Sequence, residues 1–100
     1  ADAGAIVFLI KPQFEAGREQ VKKSGVIRDA KVHVEVLNTV MEFCKTVDLN
    51  IQYLTFSPIK GPKGNIEFLA YAVKRHLGEN TIFDAVEIVN NAHLALATQG

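Results

Sequence analysis

Two side chains of types that move protons stand at or within strand-like apolar runs. Lys11 stops the run Ala5-Ile-Val-Phe-Leu-Ile10, and Glu67 lies near the start of Asn65-Ile-Glu-Phe-Leu-Ala-Tyr-Ala-Val73. In open α/β sheets, ligands gather outside the carboxyl ends of the parallel strands, and Lys11 falls at such an end. If the later strand runs antiparallel beside the first, its beginning shares that edge and Glu67 comes close to Lys11. A lysine and a glutamate there can do general acid/base work, the carboxylate orienting its partners. They can equally form a structural ion pair, and spacing alone favours that reading.

Other polar positions carry weaker signals. Lys60-Gly61-Pro62-Lys63-Gly64-Asn65 offers glycines and cations beside the pair, suited to a phosphate backbone or simply to a solvated hairpin turn. Arg18, Lys22 and Lys23 cluster in a polar stretch and admit the same two readings. His33, His76 and His93 have no partner at metal-ligand spacing, so no zinc site is expected. The single cysteine, Cys44, reads as a buried thiol and leaves no disulfide framework. Gly-x-Gly-x-x-Gly and Gly-x-Ser-x-Gly are both absent, so neither a self-contained dinucleotide site nor a hydrolase nucleophile is supported.

The elements that must position these residues follow from periodicity. Ala5 to Ile10 is continuous and apolar, as a strand buried on both faces of a parallel sheet would be. Pro12 to Arg28 has no regular pattern, and a connection of that length is often functional. Asp29 can cap a helix in which Val32, Val36, Val40, Phe43 and Val47 face the sheet, while Lys31, Glu35, Asn38, Glu42 and Lys45 face away. Asp48 to Asn50 ends it. Ile51 to Phe56 alternates as a second strand, Ser57 to Gly64 is a turn, and Asn65 to Val73 is a third strand, making an antiparallel hairpin. Thr81 with Asp84 resembles a capping box that opens a last helix with Ile82, Val86, Val89, His93 and Leu96 on one face.

Lys and Arg total 11 against 11 Asp and Glu, so no chain-wide field draws the protein to nucleic acid or to an anionic membrane, and any basic site is local. The 48% hydrophobic content supports one small core in 100 residues, less than a complete α/β enzyme domain usually needs. The chain starts with Ala, as a fragment would. Its longest apolar run is far below the ~20 residues that span a bilayer, and no signal peptide is visible.

With the elements in place, Leu9-Ile-Lys-Pro-Gln-Phe-Glu-Ala-Gly-Arg-Glu19, Gly25-Val-Ile-Arg-Asp29 with Val32-His33, and Ser57-Pro-Ile-Lys-Gly-Pro-Lys-Gly-Asn-Ile-Glu-Phe68 resemble the C-terminal part of TlyA-type proteins. These are FtsJ-like RNA methyltransferases often labelled hemolysins, and the final Ala92-His93 helix is similar to their tail. The resemblance implies a Rossmann-like methyltransferase sheet of which this chain is the C-terminal half: residues 1–78, then the helix of residues 79–100 in the same domain. It implies 2′-O-methylation of ribosomal RNA ribose in the cytoplasm, with S-adenosylmethionine as donor. The family's Lys-Asp-Lys-Glu tetrad has its last two members at Lys11 and Glu67. RNA would meet Arg18, Lys22, Lys23, Arg28, Lys60 and Lys63. The tetrad's first Lys and its Asp, the glycine-rich donor loop and the N-terminal RNA-binding domain have no counterpart here, so the chain alone is expected to be inactive and to bind the donor weakly or not at all.

Two rivals remain. A membrane-active cytolysin is suggested by the hemolysin label, although the helix from Thr81 to Thr98 has no Lys or Arg on its polar face. A non-catalytic RNA-binding module needs only the basic loops.

Overall fold

The computed structural model describes residues 4–16, 25–74 and 82–97. Strand β1 (Ala5–Ile10) leads into the short helix α1 (Pro12–Glu15), and helix α2 (Ala30–Thr46) leads into strand β2 (Leu49–Phe56). A 3-10 turn at Pro62–Gly64, strand β3 (Phe68–Lys74) and helix α3 (Ala85–Leu96) complete the order. The three strands form one sheet in the order β1-β3-β2, with β3 antiparallel to both neighbours. This is the mixed α/β architecture expected, hairpin included, with β1 and β2 parallel to each other on either side of the last strand.

Side-chain parity sorts the sheet into two faces. Phe68, Ala70 and Ala72 of β3 are buried, and across the register Phe8 and Ile10 of β1 and Leu54 of β2 share their side. A bulge between Ile51 and Tyr53 shifts the β2 register, and it leaves Ile51 in the core opposite Ala72 while Tyr53 lies opposite Tyr71. Helices α2 and α3 complete this core through Val32, Val36, Leu37, Cys44, Ala85, Val89 and Ala92. Removing Phe68 from water contributes about 2–3 kcal/mol.

Four sequence expectations change. β1 is an edge strand among the described residues: Val7 is 68% exposed, as are much of Ile6 and Leu9, so its continuous apolar run is not covered on both faces. On α2, Asp29 caps as expected, accepting from Lys31 N at 2.9 Å. The buried stripe, however, is Val32, His33, Val36, Leu37 and Cys44, while Phe43 is 62% exposed. The stripe is rotated because Leu37 and His33 extend it on one side, and a count of valines and Phe43 misses both. β2 begins at Leu49, earlier than Ile51, because Asp48 takes a positive φ of 56° that ends the helix in two residues. α3 begins at Ala85, capped by Asp84, whose carboxylate accepts from Glu87 N at 3.1 Å; Thr81 lies outside the described residues. Ile82 is then outside the helix and 93% exposed, Val86 is exposed, and the buried face is Ala85, Val89, Ala92 and Leu96.

Candidate active site

β1 and β3 meet with Ile10 opposite Phe68. Lys11 and Glu67 are the residues one step beyond that pair on each strand, so both stand at one end of the sheet. Glu67 precedes β3 instead of lying within it, and it is 5% exposed. Its backbone closes the hairpin loop through Ser57 N donating to Glu67 O at 2.8 Å.

The two side chains are held separately. Gln13 Nε2 donates to Glu67 Oε2 at 3.2 Å. The ammonium of half-buried Lys11 lies 5.9 Å from the centroid of the exposed Phe14 ring, within cation–π range. Among the described residues there is no ion pair between Lys11 and Glu67; the ion pair seen is Lys45 with Glu42 on the surface of α2.

Short-range geometry fixes this arrangement. Pro12 opens α1 with its φ already near the helical value and its ring buried. Lys11 O accepts from Phe14 N at 2.9 Å and from Glu15 N at 3.1 Å, which ties the turn carrying Gln13 to the Lys11 backbone. Opposite, Gly61 N donates to Asn65 O at 2.7 Å, folding the hairpin loop over the carboxylate. A Cβ at Gly61 would lie 2.1 Å from Glu67 Oε2, so only glycine leaves the carboxylate in place.

The hairpin loop is joined to the segment before α2 by Asn65, which is almost wholly buried. Its Oδ1 accepts from Ile27 N at 3.0 Å, and its Nδ2 donates to Gly25 O at 2.9 Å and Pro62 O at 3.0 Å. Lys63 adopts φ 60° and Gly64 φ 87°, and Lys63 Nζ passes over Gly25, 3.2 Å from where a Cβ there would be. Exposed Arg28, exposed Lys63 and half-buried Lys60 therefore belong to two loops stitched together by one amide. Arg18, Lys22 and Lys23 lie outside the described residues.

Behind the site, His33 Nδ1 and His93 Nε2 are 2.8 Å apart, joining α2 to α3, and His33 Nε2 is 3.1 Å from Ile27 O. The carbonyl can only accept, so neutral His33 donates from Nε2 and receives from His93 at Nδ1. Burial, with the nearby His93 charge, pushes His33 down to about 4; His93 is also lowered, by burial. His33 and His93, which spacing left without partners, thus find each other across 60 residues, while His76 lies outside the described residues. Burial raises the Cys44 thiol, as suits the buried reading.

Gln13, Gly61 and Asn65 were not among the sequence candidates. Pro12 directly after a strand end is the signal that a helical turn follows and can aim Gln13, and a glycine directly after Lys60 gives no hint of the carboxylate it must admit. Among the described residues no group of three or more His, Cys, Asp or Glu could hold a metal ion, and no helix is long and apolar enough to cross a membrane. One cavity of about 500 Å³ lies between β1 and α2, lined by Phe8, Ile10, Val40 and Phe43 among others. Another, of about 270 Å³, is lined by Met41, Cys44, Leu49 and Phe83 among others. Neither is lined by Lys11 or Glu67, and neither offers the glycine-rich backbone that would cradle a nucleoside donor.

Comparison with known proteins gives consistent results. The family model described as FtsJ-like methyltransferase matches residues 1–74. A protein named Hemolysin A from Brachyspira hyodysenteriae is 48% identical over 69 residues, 67% of this chain and 28% of its own length. The protein named 16S/23S rRNA (cytidine-2′-O)-methyltransferase TlyA from Mycobacterium tuberculosis is 32% identical over 84 residues, 81% of this chain and 31% of its own. A solved structure of a hemolysin-labelled protein from Streptococcus thermophilus superposes with a TM-score of 0.89 at 42% identity, over 97% of this chain and 35% of that one. The chain thus spans less than a third of the length of the curated relatives it matches.

Proposed function

The chain belongs to the FtsJ-like methyltransferase family, and on that premise we propose that it is the C-terminal part of an S-adenosylmethionine-dependent RNA ribose 2′-O-methyltransferase of the cytoplasm. Ribosomal RNA is the substrate, in keeping with the names that relatives carry. We place residues 1–78 and residues 79–100, which include α3, in one domain. The observation that carries the reading is the sheet end at which Lys11, just after Ile10, and a buried, oriented Glu67, just before Phe68, lie beyond the opposed pair Ile10 and Phe68.

A ribose hydroxyl is a poor nucleophile near neutral pH and must lose its proton as it attacks an electrophilic carbon. When bound, the donor would supply that carbon as a methyl group on a sulfonium, whose sulfur would leave as a neutral thioether. Neither of the two cavities described above suits it, and we place its seat in the part of the protein beyond this chain. Lys11 takes the hydroxyl proton or stabilises the oxygen as charge builds. Glu67 orients the hydroxyl and, through it, the Lys11 amine. Arg28, Lys60 and Lys63, with Arg18, Lys22 and Lys23, hold the RNA backbone.

The test is methyl transfer from labelled S-adenosylmethionine to ribosomal RNA by a full-length protein carrying this sequence, with nucleoside analysis of the product. Wild type yields a 2′-O-methyl nucleoside, and Lys11→Ala lowers kcat by about 10²–10⁴. Equal transfer by both defeats the assignment of Lys11. The 100-residue chain alone binds the donor weakly or not at all in calorimetry, and tight binding there would overturn the division of the site.

A further inference from the structure

We propose that Gln13 is a positioning residue for the transfer, acting through Glu67; the inference rests on the reading of Lys11 and Glu67 as the catalytic pair. Gln13 comes from the turn that Lys11 O itself anchors, so its amide moves with the lysine. Its Nε2 reaches across to Glu67 Oε2 at 3.2 Å, linking residues 54 apart in sequence. One amide thereby sets the distance between the two ends of the proposed pair, which do not touch each other.

The amide's orientation follows from chemistry. Nε2 is the end of the amide that donates, so it faces the Glu67 oxygen and leaves Oε1 facing away. Gln13 Oε1 is buried and has no hydrogen-bond partner among the described residues. A side chain selected only for stability would not bury a bare carbonyl oxygen when methionine would fill the same space without one. Gly61 leaves room beside Oε2, and Gln13 donates to that same oxygen, so Gln13 is the group that chooses the rotamer in which Glu67 stands.

Gln13→Met in the full-length protein keeps the volume and removes the hydrogen bond. It melts at or above the wild-type temperature, because the orphan oxygen is gone, yet its kcat falls about 10–100-fold while KM for RNA and for donor stays within about twofold. Gln13→Glu sets a second carboxylate against Glu67; two such groups resist ionising together, and the acidic limb of the pH–rate profile moves up by about one unit. A Gln13→Met protein with wild-type kcat, or an unmoved acidic limb in Gln13→Glu, overturns the inference while wild-type transfer and its loss in Lys11→Ala leave the proposed function standing. A wild type without transfer, or a Lys11→Ala protein that retains it, overturns the proposed function and this inference with it.

Discussion

The Cα of Gly61 stands so close to the Glu67 carboxylate that a methyl group there would lie 2.1 Å from Oε2 and 2.5 Å from Cδ. Gly61 has an ordinary φ of −79°, so the requirement for glycine is one of space and not of backbone conformation. Gly64 presents the converse: φ is 87°, and an added Cβ meets nothing within 4 Å. Gly61→Ala is expected to displace Glu67 and cut kcat of the full-length enzyme by tenfold or more. Gly64→Ala should cost about 1–2 kcal/mol of stability through left-handed strain and leave kcat near wild type. Urea titration and steady-state transfer rates on both variants check the pair; similar kinetics for the two would refute the steric account.

Asn65 satisfies both ends of its amide inside the protein, serving Ile27 N, Gly25 O and Pro62 O. Asn65→Ala leaves a buried Ile27 N–H unpaired and should destabilise by about 2–4 kcal/mol. Asn65→Asp keeps an acceptor for Ile27 but turns a carboxylate toward two carbonyl oxygens, so it should be no better. Both variants should loosen the segment at Gly25 and show faster amide hydrogen exchange at Ile27; unchanged exchange there would count against the bracket.

The His33–His93 contact makes stability depend on pH. His33 is held near 4 in the fold against an ordinary value of 6.5, so between those limits the unfolded chain binds more protons than the folded one. Stability is therefore fully present above about pH 6.5 and is lost as pH falls toward 4, with a slope for this group approaching about 1.4 kcal/mol per pH unit. His93, also lowered, adds to the slope in the same direction. His33→Phe should flatten the profile over that range. Denaturant midpoints taken from pH 7 to pH 4.5 measure it, and a profile equally steep in the variant would assign the effect elsewhere.

If the stitched loops hold RNA, their cations release counterions on binding. Replacing Arg28, Lys60 and Lys63 by Ala should weaken binding of ribosomal RNA fragments and reduce the magnitude of the log K against log salt slope by up to about 2–3, at roughly 0.7–0.9 per phosphate contact. Fluorescence anisotropy at several salt concentrations resolves this, and an unaltered slope would remove these residues from the RNA surface.

Much of the fold is written in local signals. The apolar runs ending at Ile10 and Phe56 are strands, Asp29 caps α2, and the proline- and glycine-rich stretch before Asn65 turns a hairpin. Features set by distant contacts were not legible. The facing of α2 depends on Leu37 and His33 meeting residues brought by α3 and β3, and His33 meets Phe68 edge-on. Periodicity counted from valines cannot sense that. The loop bond from Ser57 N, which holds the Glu67 carbonyl just ahead of β3, is another partner invisible to spacing. The shared sheet end of Lys11 and Glu67 follows from topology, whereas the place of Gln13 is set only by the folded turn, because a single glutamine beside a proline carries no periodic signal.

The strand order β1-β3-β2 also governs when the site can exist. The strand that lies in the middle of the sheet is the last of the three to be synthesised, so β1 and β2 have no common edge until it arrives. While a ribosome is still making the hairpin loop, Lys11 has been present for many residues with an unfilled slot beside its strand. The chain then gains its long-range partners almost together: the Gln13 to Glu67 bond alone closes a loop of 54 residues. Such late, non-local closure slows folding and keeps an aggregation-prone strand edge open during synthesis. Its return is that Lys11 and Glu67 reach a common sheet end only when the last strand pairs, so a chain cut short before β3 lacks that end altogether.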